Sequence, residues 1–163
     1  MYVDSEFIPA NVAVSIDESL VAQYGIGGFR PAADCMPEAP LFTEGMCDLI
    51  CNQEIDDRWL SGAYALIATR PELLVHLFAS TGEIDRGIIT LRLFKHGAWV
   101  PVTIDTMLPC RADGRASFIC AAEGEVLWPA LLTKAMAKLH GSYAALHGGE
   151  LAEALVDLTG GHV

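Results

Sequence analysis

A helix that begins near Asp57 is the part of this chain best placed to do chemistry. Asp56 and Asp57 precede a run of apolar residues at helical spacing, residues 59–67, and an acidic residue before such a run is typical of a helix N-terminus. The partial positive charge of a helix N-terminus lowers the pKa of a cysteine thiol placed there and makes its thiolate a nucleophile. This chain carries Arg58 at the first turn instead. A guanidinium keeps its proton and has no lone pair with which to attack.

Two interpretations of Arg58 follow from its charge. A cation at a helix N-terminus opposes the helix dipole by about 0.3–1 kcal/mol, and the neighbouring Asp56 and Asp57 would offset this locally. Arg58 either faces a cleft and binds an anionic group or a partner carboxylate, or it is a solvated side chain without a ligand. The second interpretation is the simpler one.

The five cysteines offer no obvious replacement nucleophile. Cys47 and Cys51 fit buried structural thiols, whereas Cys110 and Cys120 flank a predicted turn and strand and fit ordinary small apolar residues. An odd number of cysteines at these spacings indicates no disulfide framework, so we expect a reducing compartment.

A zinc site is a further alternative for the cysteines. Cys47 and Cys51 could bind a zinc ion together with His140 or His147. Their spacing is wider than the usual pair separated by two residues, and the two histidines lie on either side of a predicted helix break. We therefore do not expect zinc.

The apolar pattern predicts the elements that surround residues 51–68. The run at residues 59–67 is apolar on nearly every side, which predicts a buried helix. Pro71 fits the first turn of a second short helix. We expect the side chains of Leu73, Leu74 and Leu77 to point inward from this helix. Alternation over residues 88–94, a turn at residues 96–97 and a return over residues 98–104 predict a β-hairpin.

Later segments complete the predicted domain. A turn at residues 113–114 precedes a short strand at residues 116–119, and residues 128–146 give the longest helix signal, with a break at Gly141 and with Lys134 and Lys138 opposite its apolar stripe. A last helix over residues 151–158 ends at Gly160. We expect one domain over residues 1–163. Residues 1–47 are extended and looped, with a short helix near residues 18–24, and residues 48–161 form the helix-sheet core.

Composition excludes several functional classes. The chain is 52% apolar and 19% charged, which fits a folded domain. A formal net charge of −11 argues against nucleic acid as a partner. The first residues contain no basic region typical of a signal peptide, and no run approaches the roughly 18 apolar residues of a membrane span. We expect a cytoplasmic protein.

Several segments resemble the calpains, intracellular calcium-dependent cysteine peptidases of papain-like fold. Residues 51–68 are similar to the nucleophile helix of that family, with Asp57, Trp59 and Leu60 at matching positions. The GAWVPVTID of residues 97–105 and the DLTGG of residues 157–161 are similar to family motifs. Further similar segments follow in the family's order at residues 2–9, 87–96, 122–124, 128–132, 134–143 and 148–155.

The resemblance implies an α+β fold, the helical half of a papain-like core, with a central buried helix and a small antiparallel sheet. It places the family's nucleophile on Arg58 and its oxyanion-hole donor on Asn52, or on Gln53 if one residue is gapped. In papain-like enzymes the catalytic His and Asn follow the cysteine by about 130–150 residues, and only 105 of the 163 residues follow Arg58. We therefore expect both to be missing and the chain to be no enzyme as it stands.

The resemblance also implies a calcium site, because this half of the calpain core carries one. Ungapped alignment places its acidic ligands on Leu49 and Val126, which offer no carboxylate. Calcium prefers about six to eight oxygen ligands, several of them carboxylates, so we expect binding to be weak or lost. The remaining acidic candidates are Glu44, Asp48, Glu123 and Glu125.

A retained fold with a lost nucleophile implies a catalytically inactive, calpain-like domain with a regulatory or protein-interaction role. We expect a protein or peptide partner, held as extended polypeptide on the face that carries Arg58 and Trp59. One alternative is part of a calcium-dependent cysteine endopeptidase that needs a second half for proteolysis. Another is a calcium sensor without catalysis.

Overall fold

The computed structural model describes residues 2–7, 25–43, 49–50, 58–121 and 126–161. Its helices are α1 (Ala32–Cys35), α2 (Arg58–Ala68), α3 (Pro71–Leu77), α4 (Trp128–His140) and α5 (Leu151–Thr159). Its strands are β1 (Ile26–Pro31), β2 (Leu49–Ile50), β3 (Phe78–Ser80), β4 (Ile88–Lys95), β5 (Ala98–Asp105), β6 (Met107–Arg111) and β7 (Cys120–Ala121). Helices beside small antiparallel sheets confirm the predicted α+β class. The helix expected near residues 18–24 lies outside the described residues.

The largest sheet in the described ranges has the order β3-β4-β5. β4 and β5 pair in antiparallel register from Ile88 opposite Asp105 to Lys95 opposite Ala98. The connecting residues His96 and Gly97 both have positive φ, 52° and 81°, as a tight two-residue hairpin turn requires. The predicted hairpin is confirmed.

A second antiparallel pair joins β1 to β6, with Gly28 opposite Cys110 and an irregularity in register between Ile26 and Gly28. β1 lies in the stretch for which the sequence predicts only extended and looped chain. Its glycine-containing sequence, IGGFRP, lacks the alternation of apolar and polar residues that reveals β4. β2 pairs with β7 in a further two-stranded sheet.

The strand predicted at residues 116–119 is wrong. Ala116 makes only an isolated bridge to Cys110, and β7 begins at Cys120. Phe118 has a φ of 63°, a left-handed conformation that a strand cannot accommodate. Its ring is buried and stacks on Tyr143 at a centroid distance of 4.5 Å, so tertiary packing has overridden β propensity.

α4 lies in the middle of the core, with its first ten residues buried. Lys134 lies opposite the apolar stripe in the sequence pattern, but its side chain is 0% exposed, so this side of the helix is buried as well. The helix ends at Gly141, whose φ is 103°, as predicted, and a separate 3-10 turn follows at Ala144–Leu146. α4 has 13 residues, and no helix in the described ranges has the length and apolar content to cross a membrane.

α2 is a mostly buried helix, as predicted, with six of its 11 residues buried, although Leu66 is 49% exposed. α3 is less buried than its apolar sequence predicts. Leu74 and Leu77 in α3 point inward, but Leu73 is 41% exposed. Successive residues of a helix differ by about 100° around its axis, so Leu73 and Leu74 cannot share one face.

Candidate functional site

Arg58 is the first residue of α2, and its side chain is exposed. Its carbonyl accepts a hydrogen bond from Ser61 Oγ at 3.3 Å, which fixes the first turn of the helix. The structure therefore places the arginine at the helix N-terminus, as the sequence predicts. Asn52, Gln53, Cys47 and Cys51 lie outside the described residues.

Trp59 follows Arg58 and is buried, with 9% of its surface exposed. Its indole Nε1 donates a hydrogen bond to the carbonyl of Leu146 at 3.1 Å. The ring also meets the imidazole of His140 edge to face, at a centroid distance of 6.4 Å. Trp59 thus connects the start of α2 to the loop that follows α4.

The backbone of Gly149 lies directly on the Trp59 ring. A Cβ atom at Gly149 would fall within 2.6–2.9 Å of three indole atoms, so only glycine fits this position without movement. Residues 147–150 are all exposed, and His147 and Glu150 at its two ends have extended backbone conformations. We call the exposed backbone of residues 147–150, with the Trp59 ring beneath it, the Trp59–Gly149 face.

The Trp59–Gly149 face presents polar backbone atoms to solvent. Among the described residues, none forms a hydrogen bond with the backbone of Gly148 or Gly149. An exposed segment with free N–H and C=O groups can pair with an extended peptide through main-chain hydrogen bonds. Sequence reasoning missed this face, although the Gly148-Gly149 dipeptide before a helix was its visible signal.

A cluster of three charged or polar side chains lies behind Trp59. Asp157 in α5 accepts hydrogen bonds from Lys95 Nζ at 2.9 and 3.1 Å, and its Oδ2 lies 2.9 Å from His140 Nε2. Burial alone would raise the pKa of Asp157, but the hydrogen bonds with His140 and Lys95 hold it below its usual range. The cluster joins the ends of β4, α4 and α5, so it fixes the elements on which the face is built.

His140, a candidate zinc ligand in the sequence, lies in this cluster, whereas Cys47 and Cys51 lie outside the described residues. Its Nε2 lies beside Asp157 and 3.4 Å from Lys95 Nζ. Within the described ranges no group of three His, Cys, Asp or Glu side chains could hold a metal ion. Glu44, Asp48, Glu123 and Glu125 lie outside those ranges, so the expectation that calcium binding is weak or lost stays a prediction.

A buried charge network fixes the N-terminal segment, residues 2–7, to the core. Lys138 Nζ lies 2.7 Å from Asp4 Oδ2, and the Asp4 N–H donates to Asp105 Oδ2 at 2.8 Å. Lys134 Nζ binds Asp105 and the carbonyl of Met107. Burial lowers the pKa of Lys134, while the Asp105 carboxylate beside it acts in the opposite direction.

Cys110 is not an ordinary apolar residue, which corrects the sequence analysis. It forms a disulfide with Cys35, 75 residues earlier in the chain. The large separation hides the pair in the sequence, because β1 and β6 bring the two residues together only in the fold. Because the described residues contain a disulfide, the cysteine pattern gives no reason to expect a reducing compartment.

Comparisons with known proteins agree on one family. The model of the calpain family cysteine proteases matches residues 2–163. The chain is 39% identical to the calpain-type cysteine protease DEK1 of Arabidopsis thaliana over 112 residues, 69% of this chain and 5% of that protein. It is 34% identical to the calpain-type cysteine protease ADL1 of Oryza sativa subsp. japonica over 170 residues, 98% of this chain and 8% of that protein. It is 37% identical to the human calpain-1 catalytic subunit over 143 residues, 85% of this chain and 20% of that protein. The chain thus spans at most a fifth of the length of these relatives.

Proposed function

Because this chain belongs to the calpain family of cysteine proteases, we propose that it is a catalytically inactive member, one subdomain over residues 1–163, that acts as a protein-interaction module. The observation that carries the proposal is the position of Arg58. It is the first residue of α2, where the family resemblance expects the nucleophilic cysteine.

Arginine at this position cannot replace the missing chemistry. A cysteine peptidase needs a thiolate, a base that activates it and a donor for the oxyanion. The guanidinium of Arg58 stays protonated and can only donate hydrogen bonds. A permanent cation at this point is instead suited to pairing with a carboxylate.

The proposed partner is an extended polypeptide bound at the Trp59–Gly149 face. The free backbone groups of Gly148 and Gly149 would pair with the main chain of the peptide, and the exposed backbone of residues 147–150 would set its direction. The exposed cation of Arg58, next in sequence to Trp59, favours an acidic side chain on the partner. We propose a regulatory role in the cytoplasm.

Peptide binding at this face is tested by fluorescence polarisation with a labelled, unstructured acidic peptide, with and without calcium. Gly149→Ala should weaken binding at least about tenfold, because the new methyl group displaces the Trp59 ring or the loop. Gly82→Ala is the matched control, since a Cβ there meets nothing within 4 Å, and it should bind as the unchanged chain does. The same peptide with methylated backbone nitrogens should bind poorly, because it lacks main-chain donors.

Two results would refute the proposed binding face. One is no binding of the peptide at any calcium level. The other is equal affinity for the Gly149→Ala and Gly82→Ala variants.

The second candidate is part of a calcium-dependent cysteine endopeptidase. It is favoured by one observation, the small share of each relative that the chain covers, since the remaining catalytic residues could come from a longer protein. Arg58 opposes this candidate even then, because no second half supplies a thiolate at that position. Calcium-dependent cleavage by a longer chain that contains these residues would favour it over the binding module.

A further inference from the structure

The disulfide between Cys35 and Cys110 joins two segments of unequal exposure. Cys110 lies in β6 and is 1% exposed. Cys35 is the last residue of α1 and is only partly buried. An external thiol or disulfide therefore reaches the Cys35 sulfur far more easily than the Cys110 sulfur.

The disulfide supplements a small number of hydrogen bonds that hold α1. β1 is paired with β6 along its length, but α1 continues beyond that ladder. The Ala32 N–H donates to the carbonyl of Thr106 at 2.8 Å, and the Met36 N–H closes the helix on the carbonyl of Ala32. The first bond fixes the start of α1, whereas the disulfide and the buried side chain of Met36 hold its end.

α1 forms one wall of a cavity of about 380 Å³. Ala32, Ala33 and Met36 line it on the α1 side, with Ile84 and Leu127 among the residues on the other sides. A change in the attachment of α1 therefore changes the shape of this cavity.

We propose that the Cys35–Cys110 pair is a reversible redox modification site that fastens α1 to β6 when oxidised and releases the end of α1 when reduced. The proposal stands independently of the binding function proposed above. It also reconciles a disulfide with a cytoplasmic location, where thiols are kept mostly reduced and disulfides are usually transient.

The oxidant is a small-molecule disulfide. The Cys35 thiolate attacks one sulfur of that molecule, which leaves a mixed disulfide on Cys35 and releases one small thiol. The Cys110 thiolate then attacks the Cys35 sulfur, the Cys35–Cys110 bond forms and a second small thiol leaves. The two protein thiols lose two electrons and two protons. The small-molecule disulfide takes up these electrons and protons and becomes two small thiols. Reduction runs through the same steps in reverse, beginning at Cys35.

The test combines peptide mapping with amide hydrogen exchange on the full chain, after treatment with glutathione disulfide or with dithiothreitol. We expect a peptide linked through Cys35 and Cys110 only in the oxidised sample. Amides of residues 33–36 should exchange about tenfold or more faster in the reduced sample, because the end of α1 then opens locally. Cys35→Ser should exchange at the fast rate under both conditions, whereas Cys120→Ser should respond as the unchanged chain does.

Three outcomes would overturn the proposal. They are the absence of a Cys35–Cys110 linked peptide after oxidation, equal exchange of residues 33–36 in both states, and slow exchange in Cys35→Ser. The substitution at Cys35 is chosen because this side chain is partly exposed, so the variant is expected to fold even if Cys110→Ser does not.

Discussion

Lys134 in α4 and Asp105 at the end of β5 form an ion pair in which neither side chain has any exposed surface. The Asp105 carboxylate also accepts hydrogen bonds from the backbone N–H groups of Asp4 and Met107, each at 2.8 Å. One carboxylate therefore connects the N-terminal segment, the β5–β6 junction and the central helix. A buried pair of this kind stabilises a fold only while both partners and their hydrogen bonds are present.

Replacement of Lys134 by methionine should strongly destabilise the domain. The substitution leaves the Asp105 carboxylate buried without its cation, which lowers the free energy of unfolding by about 3–5 kcal/mol. Urea denaturation followed by circular dichroism measures this change. Arg86→Met is the control. Arg86 pairs with Glu83 at the surface, where the two side chains are 73% and 50% exposed, so this substitution should change the free energy of unfolding by less than about 0.5 kcal/mol. Equal effects of the two substitutions would contradict the account of the buried network.

Asp157 should make stability depend on pH in the acidic range. Its pKa is lower in the folded chain than in the unfolded chain, so the folded state binds this proton more weakly. The resulting stabilisation is present above the unfolded pKa of about 3.9 and is lost as pH falls through the lower folded pKa.

The Asp157→Asn variant isolates this contribution. At neutral pH it should be less stable than the unchanged chain by about 1–3 kcal/mol, because Lys95 and His140 lose a charged acceptor. The difference between the two chains should narrow below about pH 4. Urea denaturation at several pH values measures it, and a difference that stays constant down to pH 3 would show that Asp157 has no lowered pKa.

Gly27 should be required for the pairing of β1 with β6. A Cβ atom there would fall 2.8 Å from the backbone nitrogen of Ala112 and 2.9 Å from its Cα, and these backbone atoms cannot rotate away. Gly27→Ala should therefore destabilise the domain by about 1–3 kcal/mol through overpacking. Thermal unfolding measures the effect against Gly82→Ala, which meets no neighbouring atom within 4 Å. A Gly27→Ala chain as stable as that control would show that β1 can shift without loss.

Patterns within a few consecutive residues predict the hairpin and the helix end, because both are specified by neighbouring residues. The β4–β5 hairpin follows from alternation and from His96-Gly97, and the end of α4 follows from Gly141. The sequence does not reveal β1, because its pairing with β6 is specified by residues about 80 positions apart. The burial of Lys134 is not readable from the sequence for the same reason, since its partner Asp105 lies on another element, 29 residues earlier in the chain.

The candidate site also has one part that the sequence predicts and other parts that it does not. The place of Arg58 at a helix N-terminus is readable from Asp56, Asp57 and the apolar run that follows. The contact between Trp59 and Gly149 is not readable, because it joins positions 90 residues apart through packing. The disulfide of Cys35 with Cys110 is likewise a product of the β1–β6 pairing.

The most direct test of the central claim is cleavage of a denatured protein substrate in millimolar calcium and reductant. The chain is compared with its Cys51→Ala variant, which removes the cysteine that the sequence places nearest before Arg58. The account predicts no cleavage by either protein, because Arg58 supplies no nucleophile. Cleavage by the unchanged chain that disappears in Cys51→Ala would contradict it and would place the nucleophile at Cys51.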